Sequence, residues 1–354
     1  MNAPMPLALA VRAADLRDPG ECARLDAFVA EHPDGGIFHR PQWSRTVERG
    51  CGQRAHYLVA ERGGALVGSL PLIEVRSLLF GNAFVASGFA TGGGILADSE
   101  EVVRALGEAG WALARRHGCD SLELRGGALP EGWTRQEGTY ANFDRDLPGT
   151  GEALFDSLPR RQRAEIKRAR NFELTTSASS DRAHREAHYR VFSESYRNLG
   201  TPIFSPLLFE AALDEFGKDA DIVLIGKDGH PLAALLSFYF KGICQPYWGG
   251  GTAEARDWSA NDLAYFELMR RAIEHGCTRA DFGRSKIGTG AWQRKRIWRF
   301  DETPLVYGIR TADGAAPRQM NPSSPRYRLK VAAWQKLPLW LANRLGPRIA
   351  RGLG

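Results

Sequence analysis

The sequence predicts an α/β protein made of two related domains, each a mixed β-sheet with helices packed on it, followed by a helical tail. Three observations carry this reading. A hairpin, a short strand with a glycine cluster, a long helix and a further strand occur twice in the same order. Both long helical patterns end in the same three residues, His-Gly-Cys, at 117–119 and 275–277. The 354 residues also exceed what one compact core usually supports.

The elements follow in chain order. Residues 57–73 read as an apolar strand, a turn at Arg62-Gly63-Gly64 and a second apolar strand. The cluster Gly92-Gly93-Gly94 precedes a helix over roughly 99–117, with Asp98 and Glu101 at capping-box spacing. Gly118 is a natural stop, and Ser121–Arg125 reads as the next strand. A connector then runs from about 140 to 216. Within it, 152–172 holds two short helices parted by Pro159, 181–198 a third, and Ser205-Pro206 starts a fourth as cap and first helical residue. The second hairpin, 222–238, turns at Lys227-Asp228-Gly229. Gly249-Gly250-Gly251 leads to a helix over roughly 259–275 with Ser259 as its cap, and Arg279–Gly283 is a strand. The expected boundaries are 1–140 and 217–310 for the two domains, 141–216 for the connector and 311–354 for a tail rich in Pro, Trp and Arg.

Composition excludes several classes. At 43% hydrophobic and 25% charged the chain is an ordinary globular one. No run approaches the roughly 18–20 apolar residues of a membrane-spanning helix. No basic residue precedes the short apolar patch at the N-terminus, which argues against a secretory leader. Five cysteines at wide spacing predict neither a disulfide framework nor a structural zinc, and the reading is a reduced, cytoplasmic protein. The eight histidines show no metal-ligand spacing, so no metal is expected; His184 and His188 share a helix face and read as surface residues. The net charge of +6 is a mild excess, carried mostly by arginine, whose planar fork suits phosphate and carboxylate.

Two stretches concentrate chemistry. In Arg160–Arg170 six of eleven residues are basic, and Arg160, Arg163, Lys167 and Arg170 fall on one helical stripe. The run is either a solvated basic helix or a phosphate-binding one. The second stretch, Asp281–Arg296, follows a strand and has glycines at 283, 288 and 290 that allow close backbone approach. Arg284, Lys286 and Lys295 there suit a polyanion, and Ser285 and Thr289 can orient it. The order of residues is not that of a Walker loop, and no Gly-x-Ser-x-Gly elbow is present. Arg104–Ala109 matches the pyrophosphate loop of CoA-dependent acetyltransferases in letters only, because it lies inside a helix.

These stretches, after a duplicated α/β unit, resemble the FemAB family over roughly 38–345. The residues carrying the resemblance are Phe38-His39-Arg40-Pro41-Gln42-Trp43, Gly68–Leu72, the Arg163/Ile166/Ala169 helix and Asn261-Asp262-Leu263. To these add Asp281–Ser285, Gly288-Thr289-Gly290, and Asn321-Pro322, Tyr327, Trp334 and Leu337-Pro338. The chain looks closest to the FemAB-like proteins associated with exosortase/PEP-CTERM and exopolysaccharide systems. The resemblance implies two domains of the GNAT acyltransferase type and N-acyl transfer to an amine of a cell-envelope, peptidoglycan or exopolysaccharide precursor. It implies no permanently bound cofactor; the acyl donor is an aminoacyl-tRNA, with tRNA then a partner, or an acyl-CoA. The family's Phe-Lys pair falls on Arg294-Lys295, and Trp298-Arg299-Phe300 stands where Trp-Gly-Phe is usual. On this reading Lys295 stabilises the oxyanion and Asp281 is the nearest base, while Arg163, Lys167, Arg284, Ser285, Lys286, Thr289 and Trp43 bind substrate. The alternatives are a CoA-dependent GNAT acetyltransferase and a non-catalytic protein that binds envelope intermediates or a membrane surface.

The tail supplies a further expectation. Trp340, Leu341, Leu345 and Ile349 form an apolar stripe beside Arg344, Arg348 and Arg351, and Gly346-Pro347 predicts two short helical pieces. The stripe packs on the protein's own domains, or it also makes peripheral contact with the inner membrane.

Overall fold

The computed structural model describes residues 7–77, 80–313 and 325–354, the side chains of 325–328 excepted. Pro317, Asn321 and Pro322 lie outside the described residues, as does the side chain of Tyr327. The chain divides into two compact units. One is Met1–Glu137 with Val306–Met320 and Arg351–Gly354; the other is Gly138–Leu305 with Asn321–Ala350. The stretch 141–216, expected as a helical connector, is thus part of the second unit, because it contributes two strands to that unit's sheet as well as four helices.

In the first unit the order is β1 (Leu9–Ala13), α1 (Pro19–Glu31), α2 (Pro41–Cys51), β2 (Arg54–Arg62), β3 (Ala65–Val75) and β4 (Ala83–Ala86). There follow β5 (Leu96–Ala97), α3 (Glu100–Arg116), β6 (Ser121–Arg125) and β7 (Thr134–Gln136). In the second unit it is β8 (Tyr140–Asp146), α4 (Gly151–Ser157), α5 (Arg160–Arg170), β9 (Thr175–Ser179), α6 (Arg182–Leu199), α7 (Pro206–Phe216) and β10 (Ala220–Lys227). Then come β11 (His230–Phe240), β12 (Ile243–Gly251), α8 (Ala260–Glu274), β13 (Arg279–Lys286), α9 (Gly290–Ile297) and β14 (Asp301–Pro304).

The two sheets repeat each other. Both hairpins turn on two residues of positive φ, Gly63-Gly64 at 59° and 84° and Asp228-Gly229 at 50° and 78°. That is the geometry a tight turn between right-twisted strands requires. Both carry a bulge just before the turn, at Ala60/Glu61 and at Ile225/Gly226. Helices α3 and α8 end alike: Gly118 and Gly276 adopt φ of 69° and 74°. The amides of Cys119 and Cys277 then reach back to Ala114 and Ala272. At the starts of these helices the expected caps are not used. Ser99, rather than Asp98, holds the cap position of α3 without a side-chain bond, and the Ser259 hydroxyl turns to Glu165 instead of α8.

The strand orders show one exchange. Across the first sheet run β1-β2-β3-β4-β6, then Tyr307–Thr311, then β7; across the second run β9-β10-β11-β12-β13-β8-β14. The order is the same, but the sixth place is filled in each sheet by a strand from the other half of the chain. Tyr307–Thr311 pairs antiparallel with β6 and β7, and β8 pairs antiparallel with β13 and β14. In both sheets the central parallel pair is short. β4 meets β6 only at Phe84–Leu122 and Val85–Glu123, and β12 meets β13 only at Ile243–Arg279 and Cys244–Ala280.

Apolar faces pack beneath each sheet. The first core gathers Leu58, Leu70, Leu72, Phe84, Leu106 and Leu122. The second gathers Phe143, Ile166, Val223, Leu235, Phe266 and Trp298. The tail forms α10 (Pro325–Gln335) and α11 (Leu339–Ala350), so the break falls before Leu339 and the helix runs through Pro347. Pro347 has no N–H to give the carbonyl of Asn343, so α11 runs on with one helical hydrogen bond fewer. Gly346 packs so tightly that a Cβ would lie 2.9 Å from the backbone N and O of Ile203. Ala342, Gly346 and Ala350 form the buried face of α11, and Asn343, Gln335 and the carbonyl of Leu337 bond to α6.

An Ile309→Pro variant leaves the tail in place and cannot complete the pairing of Tyr307–Thr311 between β6 and β7. It is expected to lose amide-exchange protection in β6 and β7 while β10–β12 keep theirs. Unchanged protection in β6, read by hydrogen–deuterium exchange, would contradict the exchange of strands.

Candidate active site

The stretch Asp281–Arg284 is a bulge in β13, where the register with β8 shifts between Asp281 and Arg284. Gly283 sits at φ 65°, a conformation that favours glycine. Two charged side chains hold this bulge from either side. The Asp281 carboxylate accepts from the Gly283 amide at 2.8 Å, from Asn142 at 2.9 Å and from Gln245 at 2.8 Å. The Gln245 bond bridges β12 and β13 beyond the point where their backbones part. Lys295, on α9, donates from Nζ to the carbonyls of Phe282, Gly283 and Arg284 at 2.6, 2.9 and 3.3 Å. Burial pushes the Lys295 ammonium down to about 8, with the charge of Asp281 opposing. Thr289 caps α9, accepting from Trp292 and donating to Lys286 O at 2.7 Å.

Around this frame α5, the start of α8 and α9 enclose a recess of about 490 Å³. Four arginines line it, Arg161, Arg168, Arg256 and Arg294, against two carboxylates, Glu165 and Asp262. Helix α8 opens onto it with no side chain capping its N-terminus. Unfilled N–H groups and the helix dipole favour an anion there, as the arginine excess does. Arg294 lies 3.3 Å from Asp262 and stacks over Tyr265. Burial holds the Asp262 carboxyl above its ordinary value, against the pull of Arg294. A half-buried carboxyl of this kind, beside an anion-binding surface, has the character of a general base.

The sequence-predicted residues are distributed differently from expectation. Lys295 and Asp281, expected at the reacting groups, spend their polar atoms on the bulge. Thr289 is a helix cap, and Ser285 and Lys286 are ladder residues paired with Ala141 and Tyr140. Arg284 stacks over Tyr140. On α5 Lys167 and Arg170 lie over the ring of Phe155, and Arg163 is not among the residues that line the recess beside Arg161 and Arg168. Trp43, expected to bind substrate, is fully buried and donates from its indole to Gly88 O at 3.2 Å, so it is a core residue. His188 is likewise no surface residue. It has no exposure, bonds to Trp248 O at 2.8 Å and stacks on Phe192; burial brings its pKa down to about 4. The residues missed were Arg161, Arg256 and Asp262. The signal for Asp262 was its place in the first turn after a glycine cluster.

The acetyltransferase (GNAT) domain family matches residues 159–294, which run from the start of α5 into α9. No curated protein matches the sequence. Among solved structures, FemX is similar with a TM-score of 0.64 at 15% identity, over 84% of this chain and 96% of FemX. The chain has a GNAT/FemAB-like acyltransferase fold. The L-PGS of Bacillus licheniformis has a TM-score of 0.54 at 16% identity, over 95% of this chain and 99% of that one. A tandem GNAT protein from the clavulanic acid biosynthesis pathway has a TM-score of 0.51 at 13% identity, over 87% and 100%. The expectation of duplicated GNAT-like domains with a helical tail is therefore met.

Lys295→Met keeps the apolar stem and removes the ammonium that three carbonyls share. It is expected to destabilise the second unit by about 1–3 kcal/mol, read as a lower urea midpoint. A midpoint within error of the unaltered protein would remove Lys295 from the bulge.

Proposed function

We propose that this protein is a FemAB-like N-acyltransferase that moves an acyl or aminoacyl group onto an amine of a cell-envelope precursor. The observation that carries the reading is the arginine-lined recess at the uncapped start of α8, with Asp262 inside it. The reaction needs an anion-binding surface for the donor's or acceptor's phosphates and a base for the amine. The amine nitrogen attacks the acyl carbonyl carbon, and the bond from that carbon to the carrier oxygen or sulfur breaks. The amine's proton passes to Asp262, and the leaving group takes up a proton. The arginines and the helix N-terminus favour the negative charge that develops. An exopolysaccharide or peptidoglycan intermediate as acceptor, made in an exosortase/PEP-CTERM setting, and an aminoacyl-tRNA as donor are the finer parts of this proposal. The uncapped helix after a glycine cluster favours one second reading, an acyl-CoA donor whose pyrophosphate occupies the same recess.

Mass spectrometry of lipid-linked envelope precursors, from cells with and without the gene, tests the activity. The expected result is one precursor lighter by a single acyl or aminoacyl group when the gene is absent; identical spectra count against it. With the donor identified, Asp262→Asn is expected to lower kcat about 100-fold or more while the fold survives.

The location we propose is cytoplasmic and peripheral at the inner membrane, and the tail's composition supports it. Among the described residues no helix is long and apolar enough to cross a membrane. From residue 314 onward the sequence holds eight Lys and Arg and no Asp or Glu. The small face of α11 is turned inward, which leaves Trp340 67% exposed, with Lys336, Arg344 and Arg348 close to it in sequence; on α10 Leu329 is 74% exposed, next to Lys330. Exposed Trp and Leu with unopposed cations suit an anionic bilayer surface. Full-length protein is expected to sediment with anionic but not neutral vesicles. A Trp340→Ser, Arg344→Ser, Arg348→Ser variant that sediments equally well would refute the contact.

A further inference from the structure

Far along the sequence from the residues of the recess, the first unit brings together three side chains that no spacing in the sequence connects. His56 lies on β2, Glu74 on β3, and His117 is the C-cap of α3. His56 Nε2 stands 3.2 Å and His117 Nδ1 3.0 Å from the same oxygen, Glu74 Oε2. All three ligand atoms lie within 4.8 Å of one another. The other carboxylate oxygen is taken by Arg76, whose Nε donates to Oε1 at 2.5 Å, so Oε2 is left to the imidazoles. The rings meet edge to face at 4.9 Å, and Phe84 packs against both, which fixes their orientation. The Glu74 side chain is 3% exposed, His56 14% and His117 24%, so the cluster is sheltered yet reachable from His117.

We propose that His56, Glu74 and His117 form a zinc site, with three protein ligands and a fourth position for water. Zinc takes imidazole nitrogen and carboxylate oxygen at about 2.0–2.2 Å in tetrahedral geometry. Ligand atoms around such an ion lie roughly 3.3 Å apart, so the contacts of 3.0 and 3.2 Å need to open by only a few tenths of an ångström. Binding requires imidazole lone pairs. Each imidazole turns one nitrogen to the same carboxylate oxygen, and that nitrogen supplies the lone pair once its proton is released. The Arg76 pair supplies the outer support that orients a ligating carboxylate.

The duplicated fold contains its own control. At the corresponding end of the second sheet, His275 caps α8 and a carboxylate, Asp221, again stands nearby. There Arg271 donates to it at 2.6 Å and the Tyr239 hydroxyl at 2.9 Å, while His275 stacks on Tyr239 with its Nε2 4.0 Å away. A guanidinium and a phenol occupy that carboxylate, and one imidazole remains. The first unit differs by placing a second imidazole on β2. Bound zinc would join β2, β3 and the end of α3, so it would act on the first unit's stability.

The test is the zinc content of full-length protein after dialysis against zinc and then metal-free buffer, read by elemental mass spectrometry. The visible spectrum of the cobalt(II)-loaded protein is recorded beside it. One zinc per chain, tetrahedral cobalt bands without thiolate charge transfer, and at least a tenfold weaker affinity in His56→Asn/His117→Asn are expected. Asp221→Asn is expected to leave zinc binding unchanged. Equal zinc retention by the double variant, or thiolate charge transfer from one of the five cysteines, would overturn the site. If the double variant fails to fold, the unaltered protein decides: no retained zinc and no tetrahedral cobalt spectrum also overturn it.

Discussion

The carboxylate of Asp281 and the ammonium of Lys295 hold one bulge between them, and the second unit's recess depends on that arrangement. Gly283 is bent into a left-handed conformation. Its amide goes to Asp281, while its carbonyl and those of both neighbours go to Lys295. Buried backbone groups displaced from a ladder must find partners, and these two side chains provide them. Lys295 is carried by α9, so the bonds fix that helix against the bulge. Helix α9 in turn brings Gln293, Arg294 and Trp298 to the wall of the recess. The two most eye-catching charges of the motif thus build the wall of the recess.

The exchange of sixth strands adds a constraint of a different kind. Each sheet is completed by a segment lying far along the chain, so neither half holds a complete sheet by itself. Without Tyr307–Thr311, β6 and β7 would face each other across an empty place with unpaired backbone. Without β8, the bulge would lose both the strand that sets its register and Asn142, one of the donors to Asp281. A duplication that merely placed two independent domains in tandem would not couple them in this way.

Most of the fold was legible because its signals are local. Gly-Gly and Asp-Gly at tight turns, His-Gly-Cys helix stops and the serine-proline start of α7 each act within a few residues, and all were found where expected. What remained hidden depends on pairing between distant segments. Nothing local in Tyr140–Asp146 announces that it belongs to the sheet of the second half, and Thr175–Ser179 is too polar to read as a strand. For the candidate site, the sequence marks the stretches, and the structure shows which of their charges already have internal partners. Conspicuous cations and glycines identified α5, the bulge and α9, but sequence does not reveal which charges are consumed internally. Trp43 and His188 failed for the same reason, since a polar tip does not disclose that its ring is buried.

The substitution at position 294 has a physical consequence within this arrangement. The Phe-Lys pair of the resembled family becomes Arg294-Lys295, which keeps the lysine that holds the bulge and changes its neighbour. A phenylalanine at 294 would leave Asp262 in a half-buried site beside Glu165, with less cationic charge to oppose both. Burial and Glu165 raise the Asp262 carboxyl, and Arg294 is the larger of the charges that oppose them, ahead of Arg161. Arginine here therefore restrains the basicity of Asp262 and adds a donor fork facing the recess. Its stacking on Tyr265 keeps part of the packing role an aromatic ring would fill. Arg294 thus stands at the wall of the recess as a cation that holds the Asp262 carboxyl down against burial.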